Sequence, residues 1–453
     1  MVRMGPRMGP TAGPRRGPQD VVPPPSGLGW TPSFAVIQTG PTTFTTNLEP
    51  SSLKLSTANT RYVDIATGSD ANTGLVVGSP KKSIWSALNV GGNDTIYVKG
   101  SADPANPTVY HYDWSWRAVP VQNTNVIVVS DFTTLAPGWA ISSIGHKAGD
   151  SLLGTWALTA DVNGPHVYEA TLATTPGGGV IDASAAPQAS GAMAKLTNRA
   201  SIALVEANPG SWYHDGTKLY VRTADSRAPD TALRPLKQAI NGWLNTAISI
   251  YVERLTFEGG NARAFYLQHG VQATFVDCTF RNSQQNGCEL NVSGAVTNTT
   301  HTVYLIRCKG LGNAGDGLGA TALGSGEVIR WCEIDCEASG NSGGGSDEGS
   351  SVHKAAGNGN VSAIRVGGLY HANKTAGVAD VGGMGTWMLG SRVYGEAQGV
   401  FIGNASTAWI HGCVLTGNTT GLVTDNASGT IYVSGTTYAT TSGAGTEGAV
   451  YAP

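Results

Sequence analysis

"AGVADVGGMGTWMLGSRVYGEAQGVFIGNASTAWIHGCVLTGNTTGLVT", residues 376–424, says the same thing twice. Gly377, Gly399 and Gly421 stand 22 residues apart, and Trp387 and Trp409 keep the same interval. Between the glycines the apolar residues alternate at period 2, the mark of strands with one face buried. The same "x-Gly-apolar-x" step recurs upstream at Gly287, Gly317 and Gly349 and downstream at Gly448, giving intervals of 30, 32, 28, 22, 22 and 27 residues. Periods of this length mark a solenoid. A second column, Cys278, Cys308, Cys332, Ser391 and Cys413, follows similar strand starts. Alignment on these positions puts Val276, Ile306, Val366, Leu389 and Val433 in one inward column, with Trp387 and Trp409 also in an inward register.

Energetics requires the repeats to stack. One 22-residue coil buries about five apolar side chains worth roughly 2 kcal/mol each. Ordering its backbone costs on the order of 1–2 kcal/mol per residue. A lone coil loses that comparison, whereas a stack gains ladder hydrogen bonds on both sides and a continuous core.

Composition agrees with an all-β chain rich in turns. Of 453 residues, 62 are Gly and only 13% are charged, about half the usual share of roughly 25%. With 11 Trp and 15 Tyr the chain is too aromatic for a disordered polymer. A net charge of −3 argues against a nucleic-acid surface on the body. No run of about 18 apolar residues is present to span a membrane. The six Cys are too few and too clustered for a disulfide scaffold and read as reduced, small buried residues, not as metal ligands.

Five regions follow. Residues 1–30 repeat Gly-Pro between arginines, then run into "PPPSG"; proline forbids helix and central strand, so an extended anchoring arm is expected. This stretch lacks the apolar core of a secretory signal. Residues 31–60 read as short strands or linker. Residues 61–134 read as an opening cap and first coils, with a short helix through Ile84, Trp85 and Leu88. Residues 135–235 read as a β-rich insertion, in which "SWYHDGTKLYVR" forms two strands around Asp215-Gly216; Trp212 and Tyr213 read first as packing residues, with Trp212 as a sugar-stacking ring the rival reading. Residues 236–453 are the regular coils. The pattern "YVDxxxGSDxNxGxxxxSPxxSIxxA", starting at Tyr62, resembles the opening of right-handed parallel β-helix proteins of the pectate-lyase-like superfamily. That resemblance implies an all-β solenoid whose open end is plugged by the short helix.

Register also gathers charge. The residues before the repeat glycines are Asn286, Asp316, Glu348, Ala376, Gln398, Thr420 and Glu447. Strands in a ladder lie about 4.8 Å apart, so Asp316 and Glu348, on successive coils, are expected to face each other, with Asp347 beside them. Glu289 and Ser351 project nearby, and His353 follows. Paired carboxyls split their titrations, so that one stays protonated. Such a pair can serve glycoside hydrolysis, and a separation of about 5 Å suits a retaining mechanism. A lyase would instead use the acids, with Ca2+ a cofactor in that case alone, while His353 takes a proton. Simple turn formation is the competing reading, since Asp and Asn before Gly suit tight turns.

The pattern "DEGSSVHK…GLYHANKTAGVADVGG", residues 347–383, is similar to phage and bacterial β-helix proteins of the tailspike type. That resemblance singles out Asp347, Glu348, His353 and Asp380, although alternation points Asp380 inward; with the register, the candidate catalytic residues are Asp316, Asp347, Glu348 and His353, and the candidate substrate contacts are Glu289, Ser351, Asp380 and Trp212. The resemblance also implies a virion protein that attaches to other virion proteins through residues 1–30 and recognises cell-surface polysaccharide, with depolymerase activity left open. A secreted lyase or glycoside hydrolase and a non-catalytic decoration protein are the alternatives. After Gly448 only "AVYAP" follows; a bare strand edge invites pairing, so a homotrimer is expected.

Overall fold

The structure is a computed structural model that describes residues 20–64, 67–82, 84–88, 94–99, 109–110, 125–130, 153–158, 167–172, 181–185, 194–215, 218–224, 226, 234–237, 242–244, 249–258, 263–269, 272–283, 285–292, 300–323, 326–342, 347–355, 359–425, 429–443 and 446–450. Three long parallel sheets wind into a β-helix. Sheet A has twelve strands, beginning Asn59–Val63, Asp94–Val98, Asn125–Ser130 and Ser249–Glu253 and continuing through Val328–Ile334, Asn360–Val366 and Gly385–Leu389 to Thr446–Val450. Sheet B has nine, among them Arg263–Leu267, Asn286–Val292, Leu318–Ala322, Glu348–Lys354, Ala376–Val381 and Gln398–Gly403. Sheet C has nine short ones, such as Lys309–Leu311, Glu337–Ser339, Leu369–His371 and Arg392–Tyr394. Each coil visits A, C and B in turn.

The glycine column has a steric cause. A Cβ on Gly287, Gly317, Gly349, Gly377 or Gly399 would lie between 2.3 and 3.0 Å from the carbonyl oxygen of the matching glycine one coil on. Only a residue without a side chain lets consecutive turns approach so closely. Gly448 is not in this column; it lies in the sheet A strand Thr446–Val450, so Glu447 leaves the carboxyl column too.

The corner between sheets A and C is a single left-handed residue, filled by Asp277, Arg307, Asp335, Gly367, Gly390, Gly412 and Gly435. The residue after it supplies the cysteine column. Cys278, Cys308, Cys336 and Cys413 are buried free thiols whose Sγ atoms lie 3.2–3.6 Å from carbonyl oxygens of the preceding coil. The member from that coil is therefore Cys336 and not Cys332, which lies on sheet A paired with Tyr304 and Ile364.

A second correction concerns faces. The coil interior along sheet A holds Ile250, Phe275, Leu305, Trp331 and Ala363, whereas Val276, Ile306, Val366, Leu389 and Trp387 belong to a separate cluster with Val22, Leu28, Trp30, Phe34, Val36 and Phe44. They point out of the coil and are covered by the N-terminal segment. Val433 is one residue off, since Leu389 pairs with His411 and His411 with Ser434.

The covering segment is an antiparallel sheet of Asp20–Val22, Val36–Gly40 and Thr43–Thr46. Ser362 Oγ donates to the Leu28 carbonyl at 2.6 Å, Trp30 meets the Tyr304 ring edge-on, and Phe44 meets His411 in the same way. Farther along, Gln272 donates to Leu53 O and Lys54 pairs with Glu253. Burying each large apolar side chain here contributes up to about 1.5–3 kcal/mol. Residues 20–30, read from sequence as part of an arm, thus pack on the body; residues 1–19 lie outside the described residues.

The helix Ile84–Leu88 packs Ile84, Ala87 and Leu88 against Val63 and Ile96 at the start of the stack. Asn125–Ser130 pairs directly with Ser249–Glu253, and the described strands from Leu153–Leu158 to Arg234–Lys237 belong to other sheets. Among them, Ser211–His214 and Lys218–Arg222 form the expected antiparallel pair. Trp212 is buried there at 1% exposure. It is a packing residue, not a surface for sugar.

Candidate active site

Sheet B places the predicted carboxyls together. Cys288 pairs with Leu318 and Leu318 with Ser350, which sets Asn286, Asp316 and Glu348 on successive rungs. Three residues on, Glu289, Gly319 and Ser351 form a parallel column. The side chains tie the two columns into one patch. Asn286 Nδ2 donates to Glu289 Oε2 at 2.8 Å, and Asn286 Oδ1 accepts from the Asp316 amide at 2.9 Å. Asp316 Oδ1 in turn accepts the Glu348 amide at 3.1 Å. Its other oxygen lies 3.7 Å from where a Cβ on Gly319 would stand. The same Cβ would stand 2.8 Å from the Ser351 carbonyl oxygen, so Gly319 lets the two coils pack closely there.

Electrostatics separates the carboxyls. Glu348 is only 6% exposed. Burial, then the hydrogen bond and charge of Asp316, then the charge of Asp347, push its pKa up to about 9. Two close carboxyls disfavour each other's ionisation, and it is Glu348, buried beside Asp316, whose proton is held more tightly. Asp347 is fully buried and its Oδ2 lies 3.6 Å from Lys374 Nζ. Glu289 is held by Arg263 Nε and by Asn291 Nδ2. His353 Nε2 and Ser351 Oγ are hydrogen-bonded at 3.0 Å. Asp316, Glu348, Glu289, Ser351 and His353 therefore form one patch; Asp347 sits behind it, bound to Lys374.

Asp380 does not belong to this patch. It is fully buried inside the coil, where Arg365 Nη1 and Nη2 donate to its two oxygens at 2.6 and 3.0 Å. Thr386 Oγ1 and the Val352 amide complete its shell. Arg365 also reaches Ser350 and Glu333, and Glu333 accepts from Trp331 Nε1 and Tyr370 Oη. Asp380 is a structural counter-ion and cannot touch a substrate from there.

Sequence reasoning missed Arg263, Lys374 and Gly319. Arg263 pairs with Asn286, so one further rung of the column would have found it. Aromatic members of the Glu289 column include Tyr266, one coil before, and Phe401, two coils past Ser351. Both are partly exposed.

No protein-family profile and no curated protein sequence matches the chain. Among solved structures, XylC in complex with xylose aligns over 83% of this chain and 70% of its own, at 11% identity and a TM-score of 0.52. A glycoside hydrolase aligns over 86% of this chain and 96% of its own, at 11% identity and TM-score 0.39. A GH136 lacto-N-biosidase from Eubacterium ramulus aligns over 87% and 67%, at 10% identity and TM-score 0.21. The XylC likeness shows a shared fold.

Proposed function

We propose that the outer face of sheet B cleaves glycosidic bonds in a polysaccharide or oligosaccharide. The observation that carries this reading is the burial of Glu348 against Asp316, with no compensating cation paired with it among the described residues, which raises its pKa. Glu348 is the general acid. It gives its proton to the glycosidic oxygen as the bond to the anomeric carbon breaks. Asp316 lies within hydrogen-bonding reach of Glu348, too near to be the opposing carboxylate; its charge supports the developing positive charge on the sugar. Glu289, two rungs from the strand of Glu348, is the carboxylate that takes the proton of an attacking water, the inverting arrangement. Phe401 gives an apolar face for a sugar ring at one end, while at the other the Arg263 guanidinium lies over the Tyr266 ring, 4.7 Å from its centroid.

A lyase acting on uronates is less well supported. Its substrate carboxylates would need cations, yet Arg263 is engaged by Glu289 and Lys374 by Asp347. A bound Ca2+ would need converging ionised oxygens, whereas Glu348 is protonated. The fold shared with XylC, described with xylose, makes neutral polysaccharides the first substrates to test.

The experiment is a panel of neutral and acidic polysaccharides assayed for new reducing ends and for unsaturated-uronate absorbance. Reducing ends without that absorbance, lost in Glu348→Gln, are the expected result. Binding without cleavage by either protein would leave only recognition. Attachment to a particle through residues 1–30 and a homotrimer are further proposals. Sedimentation at three times the 46.6 kDa chain mass would support the trimer. Loss of particle incorporation on deleting residues 1–19 would support the arm.

A further inference from the structure

Behind the carboxyl patch, at the turn from sheet C to sheet B, runs a ladder of side-chain amides. Ser283 N donates to Asn313 Oδ1, Asn313 N to Asn341 Oδ1 and Asn341 N to Asn373 Oδ1, at 3.1, 3.0 and 3.3 Å. Each Asn also donates its amide to a carbonyl one coil back: Asn313 to Phe280, Asn341 to Gly310 and Asn373 to Ala338, each at 3.2 Å. Past one interruption the pattern resumes, with Asn418 Oδ1 accepting from Glu396 N and Asn418 Nδ2 donating to Val393 O.

The interruption is Glu396. It does the accepting half of the work, since Oε1 takes the Asn373 amide at 2.9 Å. The donating half has no counterpart in a carboxylate. Glu396 is 3% exposed, and among the described residues its buried Oε2 has no hydrogen-bond partner. Phe280, Gly310, Ala338, Tyr370 and Val393 share one register, so the carbonyl owed a donor by the Glu396 rung is that of Tyr370.

We propose that Glu396 is an ionisable rung: folded, it holds a proton on Oε2 and donates it to the Tyr370 carbonyl, and losing that proton weakens the stack between the Asn373 and Asn418 coils. The inference does not depend on the glycan reading. Burial alone works to raise the group, whose pKa is pushed up to about 7 against the opposing hydrogen bonds from Asn373. The titratable groups on the adjoining strands have partners elsewhere or face outward: Lys374 with Asp347, Tyr370 with Glu333, His371 with Glu337 and the Tyr394 ring, Asp380 with Arg365, and exposed Arg392.

Because the folded pKa lies above the unfolded value of 4.5, the stability this rung contributes is complete below about pH 4.5. It is lost as pH rises to about 7 and level beyond. Thermal unfolding of the full chain and of Glu396→Gln, whose amide donates at any pH, tests this. The two proteins should melt alike at pH 4.5, and the variant should melt higher from pH 7 upward. A gap that is absent, or the same at every pH, would overturn the proposal. Hydrogen exchange on the unaltered chain decides the matter if the variant does not fold. After correction for intrinsic rates, opening of residues 392–424 should rise up to about tenfold per pH unit in that window and then level, while residues 263–292 do not follow. A uniform response along the stack would contradict it.

Discussion

Two acidic clusters sit on neighbouring coils, one inside the helix and one outside, and they solve the same problem differently. Glu333 and Asp380 are fully buried around Arg365, and every oxygen among them finds a donor. Burial works against the Arg365 charge, but Asp380 and Glu333 more than offset it and its pKa is raised. Asp316 and Glu348 have no cation between them, so Glu348 holds its proton more tightly instead. Carboxyls neutralised by arginine hold a structure. Carboxyls that can be neutralised only by a proton are able to transfer one.

Removing the cation should have the largest effect. Arg365→Ala leaves two buried carboxylates opposed and should lower stability by about 3–5 kcal/mol in urea unfolding; a loss under about 1 kcal/mol would show that the interior cluster is not ionised. Outside, Glu348→Gln should cut glycan cleavage by roughly 10²–10⁴-fold while leaving the unfolding midpoint at pH 8 no lower than that of the unaltered chain. The same variant sharpens the contrast through pH. Glu348 has its folded pKa raised from 4.5 to about 9, so its contribution is complete below 4.5 and is lost as pH rises through about 9. Denaturation midpoints of the unaltered chain should therefore fall across that window more steeply than those of Glu348→Gln; parallel curves would count against the tightly held proton. Smallest is Thr386→Val, which removes one of several donors to Asp380 and should cost about 0.5–1.5 kcal/mol with cleavage unchanged.

Much of this was written in the spacing. A glycine that cannot tolerate a Cβ beneath the next carbonyl must recur at every coil, and its neighbour Asp316 or Glu348 inherits the same register. What alternation could not give was the identity of the face. Val366 and Leu389 look like core by period 2 and are core, but on the outside, because residues 20–55 fold back over them; no local pattern in sheet A announces that cover. Arg365 and Glu333 occupy inward positions where an apolar residue is expected, and only their partners across the coil explain them. Cys332 and Cys336 lie so near each other that periodicity alone chose the wrong one. Trp212 left packing and platform both open since an aromatic beside a turn reads the same whether it faces solvent or the sheet.

The account rests on Glu348 keeping its proton at neutral pH. Potentiometric difference titration of the folded chain against Glu348→Gln measures that proton directly. One additional proton released between about pH 7 and pH 10, centred near 9, is the result expected from a carboxyl pair. Superimposable curves over that range, with the extra proton leaving near pH 4.5 instead, would contradict it.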